Sequence, residues 1–116
     1  MRRERLVLED IVSAADAISE FIAPHTLETF ERTRLVESAV VRELILIGDP
    51  VGLLSDELRD RHPEVPWPQI RGLRNAVVHH YFGTDWEEVW RTATEDLPRL
   101  RAQIVGIIRT EFPEPE

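Results

Sequence analysis

Cysteine and lysine are both missing from this sequence of 116 residues, in which all 14 basic residues are arginine. A chain without cysteine can form neither a disulfide framework nor a thiolate that binds a metal or attacks a substrate. No apolar run approaches the roughly 20 residues needed to span a bilayer. Acidic residues interrupt residues 6–20, which therefore lack the apolar core of a signal peptide. We expect a cytoplasmic protein without a membrane-spanning segment.

The formal net charge of −8 disfavours non-specific binding to nucleic acid, because phosphates repel an acidic protein. This charge is unevenly distributed, since residues 59–82 contain four arginines but only two acids. The same stretch holds three of the four histidines, His62, His79 and His80. A net-positive stretch within an acidic chain predicts a narrow, selective anion site rather than a broad nucleic-acid surface.

Apolar residues recur at spacings of three and four through most of the chain, which is typical of amphipathic helices. The pattern predicts a first helix over residues 4–22 and a second helix that begins near Thr26. Thr29 stands where a capping box carries an acid or an amide, so we expect that box to be incomplete. Strand-like alternation is lacking. We therefore predict an all-α, up-and-down bundle of four to five helices in one domain, residues 1–112, with a frayed acidic tail at residues 113–116. A domain this small favours an oligomer.

The third helical segment, residues 35–47, is apolar on more than one face, so we expect it to be buried on several sides. Pro50 should kink or restart this helix, because proline lacks an amide donor and clashes with the preceding turn. The leucines within residues 53–58 then predict that the helix continues.

A connection with three prolines leads into a helix predicted over about residues 68–81. Thr84 or Asp85 should cap the helix after it, because acids occupy the first turn that follows. An apolar stripe then runs from residue 86 to residue 107. Pro98 lies inside this stripe and predicts either a kink or two helices in register.

The segment 71–81 concentrates groups that are suited to phosphate chemistry. Arginine presents a planar, permanently charged fork to phosphate oxygens, and histidine ordinarily titrates nearest to neutral pH. A helical wheel separates an apolar arc, which should face the core, from a polar arc that can face a cleft. The apolar arc consists of Ile70, Leu73, Val77 and Tyr81, and the polar arc consists of Arg74, Arg71, Asn75 and His79. The pattern indicates phosphodiester chemistry without a metal.

Arg74 and His79 are separated by about 7.5 Å along the helix axis. Their convergence on one phosphate requires the reach of arginine or a second copy of the motif across a dimer. His79 and His80 point about 100° apart on a helix and do not easily share one metal ion. Since there is no cysteine and no histidine partner at i+4, we expect neither a metal site nor a cofactor.

These residues resemble the HepT-like branch of the HEPN superfamily, small all-helical proteins whose Arg-x4-6-His motif marks metal-independent ribonucleases. Residues 74–81 fit the HepT form, Arg-x4-His-x-Tyr, with Asn75 as the polar residue after the arginine. The approach to the motif, residues 65–75, and its exit, residues 80–90, are also similar. The likeness extends from about residue 8 to residue 104.

The resemblance implies a homodimer in which two motif helices form a composite cleft. It implies the toxin of a type VII-like toxin-antitoxin system, with RNA as its substrate and tRNA as the expected target. In such a ribonuclease His79 would act as general base or acid, Arg74 would hold the phosphate, and Arg71 and Asn75 would bind substrate. The implied partner is a MntA-like nucleotidyltransferase antitoxin, which would neutralise the toxin by transferring AMP to Tyr81.

Asp49 and His80 are expected as neighbours of this site. We expect the family to carry Gly-Glu-Ala or a similar sequence at residues 48–50, where this chain has Gly-Asp-Pro. Aspartate keeps the carboxylate on a shorter side chain. Pro50 interrupts the long helix that would carry the carboxylate.

Two other interpretations stay open, because the same arginine and histidine can bind phosphate without cleaving it. The first is a non-catalytic HEPN module that binds a nucleotide or docks a nucleotidyltransferase. The second is a helical assembly protein with no nucleotide role.

Overall fold

A computed structural model of the protein describes residues 2–73 and 85–113, and every regular element within these ranges is helical. This confirms the predicted all-α class. None of the helices in these ranges is long and apolar enough to cross a membrane. The α-helices are α1 (Arg2–Ile22), α2 (Leu27–Glu31), α3 (Arg34–Gly48), α4 (Asp56–Arg61), α5 (Trp67–Arg71), α6 (Trp86–Arg91) and α7 (Leu97–Glu111), with a 3-10 helix at Pro50–Leu53 and a π-helical turn at Thr92–Asp96.

α1 lies at the centre of the core, because it packs against both α3 and α7. Its apolar stripe is buried at Leu8, Ile11 and Ile18, as the helical spacing predicts. Burying side chains of this size contributes roughly 1.5–3 kcal/mol each, which makes this stripe a main source of stability. The same core cluster contains Val40, Leu44 and Ile47 of α3 and Leu100, Ile104 and Ile107 of α7.

α3 buries one face only, so the prediction that residues 35–47 are buried on several sides was wrong. Leu35 is 81% exposed and Leu46 is 42% exposed. These leucines are about three helical turns apart and therefore lie on the same side of the helix. The packing of α3 against α1 leaves this side uncovered by the described residues of a single chain.

Threonine completes the capping box at the start of α2, although we expected an incomplete box. The Thr29 amide donates to the Thr26 hydroxyl at 3.3 Å, and the Thr26 amide donates to the Thr29 hydroxyl at 2.9 Å. A hydroxyl oxygen accepts a hydrogen bond as a carboxylate or amide oxygen does, so Thr29 replaces the usual residue.

The predicted break at Pro50 is confirmed, but the predicted continuation of the helix is wrong. α3 ends at Gly48, and the chain turns through the 3-10 helix into an extended residue, Leu54. Ser55 then caps α4 by accepting a hydrogen bond from the Leu58 amide. The Ser55 amide donates in turn to the Glu4 carboxylate of α1 at 2.7 Å. The turn is therefore tied back to the core helix.

The long final stripe is confirmed, and Pro98 is accommodated without breaking it. Asp85 caps α6 by accepting a hydrogen bond from the Glu88 amide at 3.1 Å. Pro98 has no amide hydrogen to donate to the carbonyl four residues earlier. It lies in the first turn of α7, directly after the π-helical turn. The Thr94 hydroxyl donates to the Trp90 carbonyl within that turn. Apolar burial continues on both sides of it, at Val89, Ala93, Leu97, Leu100, Ile104 and Ile107.

The end of α7 is held against α4 by one carboxylate, Glu111. The Arg61 guanidinium donates to both of its oxygens, and the His62 ring contacts the same carboxylate. These partners, Arg61 first, lower the pKa of Glu111 although partial burial opposes them. Because Arg61 and His62 end α4, this cluster joins two elements that are distant in sequence.

Replacement of the charged partner tests this connection. Glu111→Gln should lower the free energy of unfolding by about 1 kcal/mol at neutral pH, because the amide loses the charge-assisted hydrogen bonds. The pKa of Glu111 is lowered from its ordinary value of 4.5, so its stabilisation is present above that value and is lost as the pH falls through the lowered pKa. Urea unfolding at several pH values measures the difference between wild type and variant, which should shrink below pH 4.5.

Glu88→Gln is the matched control, because Glu88 pairs with Arg91 only three residues away on the same helix. Its effect at neutral pH should be smaller, since a local surface pair joins no distant elements. Equal losses in the two variants, or a Glu111 effect that persists at low pH, would contradict this role of the cluster.

Candidate active site

The predicted site residues divide into two groups. Arg71 and Asp49 are described, and both are exposed. The other members, Arg74, Asn75, His79, His80 and Tyr81, lie outside the described residues, and their predicted arrangement stays a prediction. The structure therefore describes the residues on each side of the motif, up to Leu73 before it and from Asp85 after it.

Trp67 fixes the helix that leads into the motif. Its indole Nε1 donates to the carbonyls of Arg59 and His62, at 3.2 and 3.0 Å. One turn later Ile70 is buried, and Leu73 packs half-buried against the core. These two residues confirm the start of the predicted apolar arc. The approach to the motif is thus held by a buried ring at one end and by core contacts at the other.

Arg71 projects from α5 over the turn that Pro50 introduces. A Cβ atom placed on Gly52 of this turn would lie 3.6 Å from Nη2 of Arg71, which is ordinary van der Waals contact. Asp49 is the C-cap residue of α3 and lies at the start of the same turn. The Arg71 guanidinium therefore lies beside the backbone of the turn that follows α3.

Arg71 differs from the two other described arginines of the net-positive stretch, because each of those forms an ion pair with a described acid. Arg59 pairs with Asp56, and Arg61 pairs with Glu111. No hydrogen bond or ion pair joins the Arg71 guanidinium to any described residue. A guanidinium in this state can bind a phosphate without first losing a carboxylate partner. The charge count of residues 59–82 does not reveal this difference, because both partners lie outside that stretch: Asp56 is just before it, and Glu111 is distant in sequence.

Aromatic packing holds the element that follows the motif. The rings of Phe30 and Trp86 meet edge to face at 82°, with centroids 6.1 Å apart, and Trp90 lies 5.3 Å from the same Phe30 ring. Phe30 is fully buried, whereas both tryptophans are half-buried. This contact joins α6 to α2 and so anchors the exit from the motif.

A buried carboxylate beside Trp86 was missed by the sequence reasoning. Glu37 is only 7% exposed, and its Oε2 has no hydrogen-bond partner among the described residues. Burial raises the pKa of Glu37, and the negative charge of Glu31 adds to that effect while Arg34 opposes it. Glu37 occupies the same stripe as Val40, three residues on. An acid on the core stripe of an amphipathic helix is the sequence signal that could have revealed it.

A larger groove of about 570 Å³ lies between α5 and the α6–α7 helix. Its described lining is largely apolar and includes Ile70 and Leu97, together with three acids, Glu64, Glu88 and Asp96, and one base, Arg99. The acids outnumber the single arginine, so the charge of this groove disfavours an RNA backbone. The exposed Arg71 side of α5 offers the better electrostatic match.

Comparisons with known proteins give one consistent family. The model of the ribonuclease HepT-like family matches residues 11–107, a range that includes the whole motif. A protein of Thermococcus cleftensis named probable ribonuclease HepT is 33% identical over 88% of this chain and 93% of its own length. No solved structure gives a significant match.

Two further relatives have names that propose RNase activity. One, from Caldanaerobacter subterraneus subsp. tengcongensis, is 32% identical over 96% of this chain and 99% of its own length. The other, from Methanocaldococcus jannaschii, is 31% identical over 89% of this chain and 94% of its own length. With a family match across most of its length and relatives of almost the same extent, the chain belongs to the ribonuclease HepT-like family.

Proposed function

We propose that this protein is a metal-independent ribonuclease toxin that cleaves RNA, with tRNA as its target. The observation that carries the proposal is the family match across residues 11–107, within which the sequence Arg74-x4-His79-x-Tyr81 is complete. Arg71, which is exposed and pairs with no described residue, lies one turn before the motif and supports a phosphate-binding role for this side of α5.

The reaction follows from the chemistry of these side chains. His79 takes the proton from a ribose 2′-OH, whose oxygen attacks the adjacent phosphorus and displaces the 5′ oxygen of the next nucleotide. Arg74 binds the phosphate and stabilises the negative charge that grows on it, while Asn75 orients the substrate or His79. The displaced 5′ oxygen takes a proton from water or from the protonated His79, and a 2′,3′-cyclic phosphate remains. Arg71 holds a neighbouring phosphate.

A homodimer would place two such motifs at one cleft. The exposed leucines beside the turn under Arg71 support this arrangement: Leu46 in the last turn of α3 is 42% exposed, and Leu53 in the 3-10 helix is 55% exposed. Exposed large apolar side chains on a small protein favour a protein contact. A contact made here would bring the Asp49 and Arg71 surfaces of both protomers to the dimer axis.

The proposed antitoxin is a MntA-like nucleotidyltransferase that uses ATP. The Tyr81 hydroxyl attacks the α-phosphorus, pyrophosphate leaves, and AMP remains on the tyrosine oxygen. The adduct adds bulk and negative charge two residues from His79, so it blocks the cleft and repels RNA phosphate. His80 lies between these two residues in the sequence and is a neighbour of the modified side chain.

Substitution of the proposed general base is the first test. His79→Ala should lower the rate of tRNA cleavage at least about 100-fold, because general acid-base catalysis contributes roughly 10²–10⁴. Purified wild type and variant are assayed on the same tRNA, and growth inhibition is scored in cells. His25→Ala, in the α1–α2 connection, serves as the histidine control. Variant and wild type should form the same dimer. Undiminished cleavage by His79→Ala would reject the proposed site, and no cleavage by unmodified, dimeric wild type would favour the non-catalytic module.

The modification makes a second prediction. Wild type prepared with the nucleotidyltransferase should gain the mass of one or more AMP groups on Tyr81 and lose tRNA cleavage. Tyr81→Phe should gain no AMP and keep cleaving in the presence of the antitoxin, because it lacks the hydroxyl nucleophile. Intact mass and cleavage are measured on the same samples. AMP on Tyr81→Phe, or full activity of modified wild type, would contradict the switch.

Arg71 makes a third prediction, about substrate binding rather than chemistry. Arg71→Gln should raise KM for RNA about tenfold with little change in kcat, since a lost charge-assisted phosphate contact costs roughly 1.4 kcal/mol of affinity. The slope of log Kd against log salt should fall by about 0.7, as expected for one contact to a single strand. Arg101→Gln is the matched control, because Arg101 is already paired with Asp16. An unchanged KM and salt slope for Arg71→Gln would remove Arg71 from the binding surface.

A further inference from the structure

The groove between α5 and the α6–α7 helix borders the motif on both sides. Its volume is about 570 Å³, and its described lining forms two walls, one within Glu64 to Leu73 and the other within Glu88 to Gln103. In the sequence, Leu73 stands eight residues before Tyr81 and Glu88 stands seven residues after it. A protein bound in this groove would therefore contact both helices that flank the segment carrying Tyr81.

The rim of the groove is open to such a partner. Glu64, Pro66 and Gln69 are exposed on the first wall, and Asp96 and Arg99 are exposed on the second wall. The floor between the walls is formed by apolar side chains of the core. Gln69 forms no hydrogen bond with any described residue, so its amide is available to a bound molecule. The groove therefore offers an apolar floor and a polar, accessible rim.

The second wall has a large excess of negative charge. Residues 85–96, which include α6 and the π-helical turn, carry five acids and one arginine, a net charge of −4. That arginine, Arg91, donates to the Glu88 carboxylate. Asp96 forms no hydrogen bond or ion pair with any described residue. Such a wall attracts basic groups within roughly 10 Å, the screening length in about 0.1 M salt, and repels phosphate.

These properties match one kind of protein segment. An amphipathic helix can lie in an apolar groove and place apolar side chains at i, i+3 or i+4 and i+7 on its floor. Basic residues beside those anchors would face the acidic wall, where charge complementarity favours the correct partner and speeds its association. Arg71 does not line the groove, so a helix bound there would leave the proposed phosphate contact of α5 accessible.

We propose that this groove is the docking surface for the nucleotidyltransferase, which inserts a basic amphipathic helix between α5 and the α6–α7 helix. The inference rests on the proposed function, in which that enzyme transfers AMP to Tyr81. Transfer requires the α-phosphorus of ATP to stay near the tyrosine hydroxyl, and a partner held by both flanking helices meets this requirement. Docking and RNA binding then use different surfaces of the protein.

Charge reversal on the rim tests this surface. Asp96→Arg should raise the Kd for purified nucleotidyltransferase about tenfold, because like charges across an interface repel. Isothermal titration calorimetry without ATP measures this Kd while no AMP can be transferred. Glu95→Arg is the matched control, because Glu95 is exposed in the same turn but does not line the groove. It should change Kd less than about threefold, since only the general charge of the wall differs.

A bulky side chain tests the same groove independently of charge. Gln69→Trp should raise Kd at least about tenfold, because the ring occupies space that the partner helix needs. Ala102→Trp is the control, since Ala102 is exposed on α7 outside the lining. Circular dichroism confirms folding. Without the nucleotidyltransferase, Asp96→Arg and Gln69→Trp should both cleave tRNA at the wild-type rate. With subsaturating nucleotidyltransferase and ATP, intact mass should show slower AMP transfer to both variants than to either control.

Unchanged affinity of both groove variants for the nucleotidyltransferase would reject the docking surface. Loss of self-association by the variants in sedimentation, with partner binding retained, would make the groove a contact between two copies, and loss of tRNA affinity alone would make it an RNA surface. Either result also rejects the proposal. Wild type that cleaves tRNA but binds no nucleotidyltransferase rejects the antitoxin and its docking surface together and leaves the ribonuclease. Wild type that binds the enzyme through this groove yet cleaves no RNA rejects the ribonuclease alone.

Discussion

Burial of the α1 stripe against α3 and α7 is the constraint from which the positions of the other elements follow. Further helices then pack around this contact. α5 packs on α3, and α2 packs on both α3 and α6. The described chain stops before the motif at Leu73, which packs against this core, and resumes at Asp85. The helices on both sides of the motif are therefore positioned by contacts to the same core: Ile70 and Leu73 before it, and Val89 after it.

Ion pairing decides which arginines of this acidic protein are available to a phosphate group. The net charge of −8 disfavours phosphate binding. The excess of two arginines over acids in residues 59–82 does not offset that charge. Glu111 neutralises Arg61 by bringing the end of α7 to the end of α4. Arg71 lies instead over a backbone turn, where no described side chain competes for its guanidinium. The local positive surface is thus smaller than the net-positive stretch of the sequence.

Local physics made much of the fold predictable. The stripe of α1, the Asp85 cap and the break at Pro50 each depend on residues within one or two turns. The errors have two sources. First, Thr29 completes the capping box because its hydroxyl accepts a hydrogen bond as an amide oxygen would. Second, α3 has more apolar residues than one face can hold, and Leu35 is exposed because neighbours that are distant in sequence cover only one face of the helix. For the candidate site, the same limit applies: Arg71 could be picked out from the sequence, but the lack of an ion pair with any described carboxylate could not.

Glu37 shows most clearly how stability and function can diverge in this fold. Its stripe continues through Val40, Leu44 and Ile47, all buried, so an aliphatic side chain at position 37 would add to the core and leave no oxygen without a partner. The carboxylate that stands there instead opposes burial, and burial raises its pKa. Sequences usually break the hydrophobic pattern where a site requires it. No described residue donates a hydrogen bond to Glu37 Oε2, so within residues 2–73 and 85–113 nothing offsets the cost of burying this oxygen.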